Sequence, residues 1–169
     1  MRSLITKAIN NAYFIYAFRC LLGFGIGYAL YLRFVEYELF WGLLSIILVI
    51  SPEEKDSKKL SIDRVKSNFI GSLVALLCVL FDEEAGFLTI VFGIIITVLV
   101  CRLFKILNYA RVAIVAVLII LIEPHHSSLT YTPFFRFLTV AGGCLIGLAI
   151  IVSTSYAIRY LREKLLVQE

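Results

Sequence analysis

The sequence contains few charged residues, since Asp, Glu, Lys and Arg make up only 17% of its 169 residues. Soluble globular domains are about 25% charged and about half apolar, whereas 61% of this chain is hydrophobic. A soluble fold of this length has no interior large enough to bury so much apolar surface. The aromatic content of 14% also excludes intrinsic disorder. The composition therefore indicates an integral membrane protein.

Cysteine and histidine are scarce, and neither forms a cluster of metal ligands. The four cysteines each stand alone inside an apolar run, so there is neither a CxxC pair nor a disulfide framework. His125 and His126 are adjacent, which is more typical of a solvated turn than of a metal site. No hydrolase, protease or phosphate-loop motif is present. We therefore expect no enzyme activity, no metal, no cofactor and no nucleic-acid partner.

Six apolar runs follow one another along the chain, at about 13–32, 39–51, 67–81, 85–101, 110–122 and 137–158. The second and fifth runs are short and reach only about 20 Å as helices, against a hydrocarbon core of about 30 Å. Hydropathy alone therefore leaves two topologies open, which are six spans or four spans with two re-entrant segments.

The basic residues favour one of these topologies. With six spans and a cytoplasmic N-terminus, 13 of the 16 Lys and Arg residues lie in cytoplasmic segments. Arg33 and Arg136 then lie outside, and Arg19 lies within a span. If the short runs did not cross, ten basic residues would lie outside and five inside. The positive-inside rule therefore predicts six spans with both termini in the cytoplasm, and the absence of a cleavable signal peptide suits a bacterial inner membrane.

The two halves of the chain share three landmarks at a constant offset of 72 residues. Each half has a short apolar run that ends in proline, then an arginine twelve residues later, then a glycine. The landmarks are Pro52, Arg64 and Gly71 in the first half, and Pro124, Arg136 and Gly143 in the second. This pattern predicts an internal repeat within one membrane domain of residues 1–169, with one copy at about 13–81 and the other at about 85–158.

Each predicted repeat contains three spans, so the second copy enters the membrane in the opposite orientation. Inverted repeats of this kind are common in secondary transporters, where short or proline-interrupted helices mark the binding site. We therefore predict an all-α membrane protein of two inverted three-helix repeats. In it, Pro52 and Pro124 break the helices at the pathway, and Gly71 and Gly143 give close packing or gating positions.

An arginine inside the first apolar run is unexpected in lipid. Placing Arg19 at the centre of a span costs roughly 2.5–3.5 kcal/mol on insertion scales, so it is expected to face the interior or a water-filled cavity. Gly23 and Gly27 follow on the same helix face, which allows another helix to approach closely. The alternative is an arginine that snorkels to the cytoplasmic interface.

Arg64 and Arg136 are predicted to begin the third and sixth spans, on opposite sides of the membrane. Helix N-termini add unpaired N–H donors at such points, and the planar guanidinium group matches a carboxylate. Asn68 and Thr139 follow on the same faces. We therefore predict that an organic anion binds here, with interfacial anchoring of the arginines as the alternative.

The stretch 53–63 is expected to be a solvated loop, with Asp63 as an N-cap.

The segment from Trp41 to Pro52, followed by Arg64-x-x-Ser67-Asn68-x-x-Gly71, resembles a known family. It is similar to the membrane domain of fusaric acid resistance and aromatic acid exporter proteins. That family typically has a short helix ending in proline, then Arg-x-x-Gly-Thr-x-x-Gly opening the third span. Serine and asparagine here replace the usual glycine and threonine. The segment Arg136-x-x-Thr139-x-x-x-Gly143 resembles a weaker second copy, and plant malate channels look like distant relatives.

The resemblance implies a six-span membrane domain, dimeric, that exports aromatic carboxylates. In the distant relatives, arginines of the third and sixth spans belong to an anion path. Our leading hypothesis is an exporter or permeation pathway for organic, aromatic carboxylates, with Arg64 and Arg136 holding the carboxylate and Arg19 supplying positive potential. The alternative is a membrane interaction or assembly module that acts with a partner subunit and transports nothing itself.

Overall fold

The computed structural model describes residues 11–34, 39–81, 86–122 and 131–166, and all regular structure in these ranges is helical. In chain order the helices are α1 (Ala12–Arg33), α2 (Phe40–Val49), α3 (Glu54–Phe81), α4 (Phe87–Leu103), α5 (Leu107–Ile122) and α6 (Thr132–Leu166). Many large apolar side chains on these helices are exposed, as lipid-facing surfaces require. The predicted all-α class is confirmed.

The helices fall into two groups by length. α1, α3 and α6 are long and apolar enough to cross a membrane by length and composition. α2, α4 and α5 are shorter apolar helices, and the ten residues of α2 reach only about 15 Å. The six-span count, the inverted repeat and the position of the termini therefore stay predictions.

The break between α2 and α3 follows from Pro52. Helices usually end at or before the residue preceding a proline, which here is Ser51. α2 ends at Val49, and the chain is extended at Ile50, with φ −68° and ψ 119°. The chain is then held in place by a hydrogen bond from the backbone N–H of Ser51 to Oγ of Ser57, at 3.0 Å. Pro52 thus lies between the end of α2 and the start of α3, and its role as a helix break at a transport pathway stays a prediction.

The predicted loop at 53–63 is wrong, because α3 already begins at Glu54. The acidic side chains of Glu54 and Asp56 lie in the first turn, where they interact favourably with the helix macrodipole. Glu54 also pairs with Lys58 one turn later, at 2.8 Å. Asp63 is therefore an interior residue of α3 rather than its N-cap.

A tight turn joins α4 to α5 and ends α4 in a Schellman motif. The N–H of Ile106 donates to the carbonyl of Cys101 at 2.8 Å, and the N–H of Lys105 donates to the carbonyl of Arg102 at 3.1 Å. This geometry requires a left-handed residue, and Lys105 supplies it with φ 56°. Two apolar helices are thereby joined by three residues.

The chain divides into two compact units, Met1–Ser61 with Gly142–Glu169, and Ile62–Ala141. The core of the first unit is formed by Ile46 and Ile50 with Ile150 and Ile151. The larger core of the second unit joins α3 to α5, through the buried residues Val74, Ala75, Cys78, Val79, Val117, Ile120 and Leu121. Each unit combines helices from both predicted repeats.

Glycines allow close helix packing inside each unit. A Cβ atom added at Gly23 would lie 3.1 Å from Cγ2 of Ile46 in α2, and one at Gly27 would meet Leu43 of the same helix. One added at Gly143 would overlap the carbonyl oxygen of Gly42. The expected close approach along the face that carries Gly23 and Gly27 is therefore confirmed.

Candidate functional site

Arg19 is buried inside the first unit, with only 4% of its surface exposed. Its Nε donates to Oγ1 of Thr154 at 3.0 Å, and Nη2 donates to Oγ of Ser155 at 2.8 Å, both in α6. Nη1 donates to the carbonyl oxygens of Ser51 at 3.4 Å and Pro52 at 2.9 Å. The guanidinium group thus connects α1 to the α2–α3 junction and to α6.

These partners explain how a charged group is tolerated there. The two carbonyl groups follow the end of α2, where backbone acceptors have no partner within the helix and the macrodipole is negative. Hydroxyl groups of α6 accept hydrogen bonds from two further N–H groups, so most of the N–H groups of Arg19 are hydrogen-bonded. Arg19 is therefore buried and hydrogen-bonded inside the first unit, rather than extended to the surface of the protein.

Among the described residues Arg136 is also buried, with 4% of its surface exposed, and it lies in the second unit. Arg64 lies in the same unit and is half-buried. Arg136 is the fifth residue of α6, close to the expected helix start. Arg64, in contrast, lies ten residues inside α3, so the expectation that it sits at a helix N-terminus is wrong. The early start of α3 is the reason.

The two arginines share a local hydrogen-bond pattern at the offset of 72 residues. The hydroxyl of Ser67 donates to the carbonyl of Arg64 at 3.0 Å, and the hydroxyl of Thr139 donates to the carbonyl of Arg136, also at 3.0 Å. Nδ2 of Asn68 donates to the carbonyl of Arg64 at 3.0 Å. The polar groups of Asn68 and Thr139 therefore bond to the helix turn of the preceding arginine.

A ring contact brings the two arginine-bearing segments together. The rings of Phe69 and Phe137 meet edge to face, with centroids 5.4 Å apart. Arg64 lies five residues before Phe69, which is about 7.5 Å along α3, and Arg136 directly precedes Phe137. The segments that carry Arg64 and Arg136 therefore pack against each other within the second unit. The expected location of the two arginines on opposite membrane sides stays a prediction.

The predicted helix-break and packing residues have different surroundings. The carbonyl of Pro52 accepts from Arg19, as described above. A Cβ atom at Gly71 would lie 2.6 Å from the carbonyl oxygen of Ala113, so α3 and α5 approach closely there. Gly143 permits the equivalent approach of α6 to α2. Pro124 lies outside the described residues, as do the adjacent histidines.

A cavity of about 340 Å³ in the first unit was not anticipated from the sequence. Arg19, Arg159 and Arg162 line it together with Glu54 and Ser155. The sequence analysis counted Arg159 and Arg162 only as cytoplasmic charges. Their spacing from Ser155, four and seven residues, places all three on one face of α6, and this was the available signal.

The described part of the chain offers no group of three or more His, Cys, Asp or Glu residues placed to hold a metal ion. Three of the four cysteines are buried, as expected for small apolar residues; these are Cys78, Cys101 and Cys144. The buried polar side chains of the described residues are arginines, hydroxyls and Asn68, with no carboxylate among them.

Comparison with known proteins identifies the family. The family model described as fusaric acid resistance protein-like matches residues 16–150, about four fifths of the chain. Searches of curated proteins and of solved structures gave no significant match. The matched region contains both buried arginines, both predicted arginine motifs and the α2–α3 break. The chain therefore belongs to the fusaric acid resistance protein-like family, a family of membrane transport proteins.

Proposed function

We propose that the protein exports organic acids, with aromatic carboxylates as the substrate class, or forms a permeation pathway for them. The observation that carries this proposal is Arg136, a guanidinium group buried in an apolar helix of a membrane transport protein. A buried cation in a membrane helix is costly and is typical of ion and substrate paths. A carboxylate compensates this charge through two parallel hydrogen bonds.

Two buried hydroxyl groups support an anion site in the second unit. Thr132 lies one turn earlier on the same face of α6, and its buried hydroxyl has no hydrogen-bond partner among the described residues. The buried hydroxyl of Ser72 in α3 likewise has no such partner. Buried hydroxyls are normally hydrogen-bonded, so these two are suitable donors for a carboxylate oxygen.

The proposed roles of the predicted residues follow from their contacts. Arg136 and Arg64 bind the carboxylate, while Asn68 and Thr139 fix the helix turns that carry them. Arg19 contributes positive potential from the first unit, because its own donors are engaged by protein oxygens.

Matched contacts inside the two units support the inverted repeat. In the second unit, Gly71 packs on the backbone of Ala113 in α5, whereas in the first unit Gly143 packs on the backbone of Gly42 in α2. Each glycine of one predicted repeat thus meets the short helix of the other, as a two-fold relation between the repeats requires. We include six spans, cytoplasmic termini, a bacterial inner membrane and a homodimer in the proposal.

The test is the flux of salicylate from proteoliposomes. We expect the double variant Arg64→Gln, Arg136→Gln to lower the flux at least tenfold. The reason is that a charge-assisted hydrogen bond contributes about 1.5–3 kcal/mol and about 1.4 kcal/mol corresponds to a factor of ten. The matched control is Arg102→Gln, Arg111→Gln, which removes two exposed arginines of the same unit and is expected to leave the flux unchanged.

Three results would argue against the proposal. If both double variants transport salicylate as fast as the wild type, the protein is a transporter, but Arg64 and Arg136 do not lie on its pathway. No flux in the wild type, with a proton gradient in either direction, would favour an assembly module that needs a partner subunit. Loss of flux in both variants would indicate a general charge effect. Reconstitution of each variant is checked by the protein recovered per vesicle.

A further inference from the structure

The arginine-lined cavity of the first unit lies between the start of α1, the α2–α3 junction and the last third of α6. It is separate from the proposed carboxylate site, which belongs to the second unit. Its volume of about 340 Å³ is at the lower end of the range for ligand sites, about 300–1,000 Å³. The cavity is therefore large enough for a small charged group and its immediate attachment.

The lining of the cavity carries a surplus of positive charge. Three arginines face one acidic residue, Glu54. The carboxylate of Glu54 is already engaged, with Oε1 at 2.8 Å from Nζ of Lys58 and Oε2 at 3.7 Å from Nη2 of Arg159. Arg19 is buried, whereas Arg159 and Arg162 are the exposed arginines of the lining. An anion is the ligand that this charge favours.

The surroundings of the cavity are those of a membrane interface. Tyr13, in the first turn of α1, has 84% of its surface exposed, and Tyr156 and Tyr160 are exposed on α6 beside the cavity residues. Exposed tyrosines mark the level of the lipid headgroups. The apolar wall residue Ile15 and the arginine stems provide a surface for the glycerol and the first part of an acyl chain.

We propose that this cavity binds the phosphate group of an anionic phospholipid from the surrounding bilayer. Arg159 and Arg162 contact the phosphate oxygens, and Arg19 adds positive potential from behind. Basic pockets between membrane helices are suited to such headgroups. Because Arg19 also bonds to the α2–α3 junction, the lipid binds where three chain segments of the first unit meet.

The test measures which lipid stays bound to the full chain through size-exclusion chromatography from micelles with equal phosphatidylglycerol and phosphatidylcholine. Lipids are quantified by mass spectrometry. We expect the wild type to prefer phosphatidylglycerol, and the double variant Arg159→Gln, Arg162→Gln to lower that preference about 30-fold, at about fivefold for each arginine. The control variant Arg102→Gln, Arg111→Gln removes the same charge outside the cavity.

A third variant tests the sign of the effect. Glu54→Gln removes the single carboxylate of the cavity, so we expect it to raise the preference about fivefold. Equal losses in the cavity and control variants, or no loss in either, would overturn the proposal. If excess inorganic phosphate or salicylate displaces phosphatidylglycerol, the lipid assignment is overturned, and the cavity binds a soluble anion instead. Retention of the lipid under both additions supports it.

Discussion

Replacement of Arg19 by methionine tests whether this residue holds the first unit together. The substitution keeps an unbranched side chain of similar length and removes the charge and four hydrogen bonds to Thr154, Ser155, Ser51 and Pro52. Two backbone carbonyls then lose their guanidinium partner at the end of α2. Both carbonyls lie between α2 and α3, where Pro52 prevents the helix from continuing.

The expected destabilisation is about 3 kcal/mol in the free energy of unfolding. Hydrogen bonds to charged groups contribute about 1.5–3 kcal/mol each, which gives a large gross loss for four bonds. Part of this loss is recovered, because methionine avoids the cost of several kcal/mol for burying a charge. The balance stays unfavourable, since the carbonyl of the buried Ser51 loses its guanidinium partner.

The assay is unfolding by SDS in mixed micelles, followed by far-ultraviolet circular dichroism. Arg33→Met is the matched control, since Arg33 is exposed at the other end of the same helix, and we expect a change below about 0.5 kcal/mol. A double-mutant cycle with Ser155→Ala gives a coupling of about 1–2 kcal/mol if the bond at 2.8 Å contributes. Equal stabilities for Arg19→Met and the wild type would refute the reasoning.

Two further predictions concern packing and burial. Gly143→Ala lowers the free energy of unfolding by about 1–3 kcal/mol because its Cβ would overlap the carbonyl of Gly42, whereas Gly142→Ala is neutral or stabilising by up to about 1 kcal/mol, since open space surrounds it. The same SDS titration measures both, and equal effects would contradict the contact. After treatment of the folded protein with N-ethylmaleimide, we expect mass spectrometry to find the label at Cys20 alone. Early labelling of any of the three buried cysteines would contradict the fold; the buried cysteines are Cys78, Cys101 and Cys144.

Local patterns in the sequence were sufficient for part of the fold. The apolar runs locate each of the six helices in the described residues, because a helix in lipid or in a protein core must be apolar along its own length. The break after α2 follows from Pro52, whose effect on the preceding residue is purely local. The interior location of Arg19 follows from the cost of a cation in lipid.

Other features of the fold had only weak local signals. The charged stretch before Arg64 has the composition of a loop, yet it extends α3 because its acidic first turn and the pair of Glu54 with Lys58 favour a helix. The turn between α4 and α5 uses Lys105 in a left-handed conformation that sequence reasoning reserves for glycine. At the start of α3 and in the turn between α4 and α5, the local preference is weak, and the neighbouring structure determines the conformation.

The sequence by itself determined that this is a helical membrane protein with buried arginines and glycine-lined helix faces, because burial in an apolar medium constrains each segment independently. Only the tertiary structure decided what those residues meet. Arg19 bonds to hydroxyls of α6 that lie 135 and 136 positions away in the chain, and Arg159 and Arg162 join it around one cavity. Such contacts depend on which helices become neighbours, and hydropathy, which is a property of one segment at a time, does not contain that information.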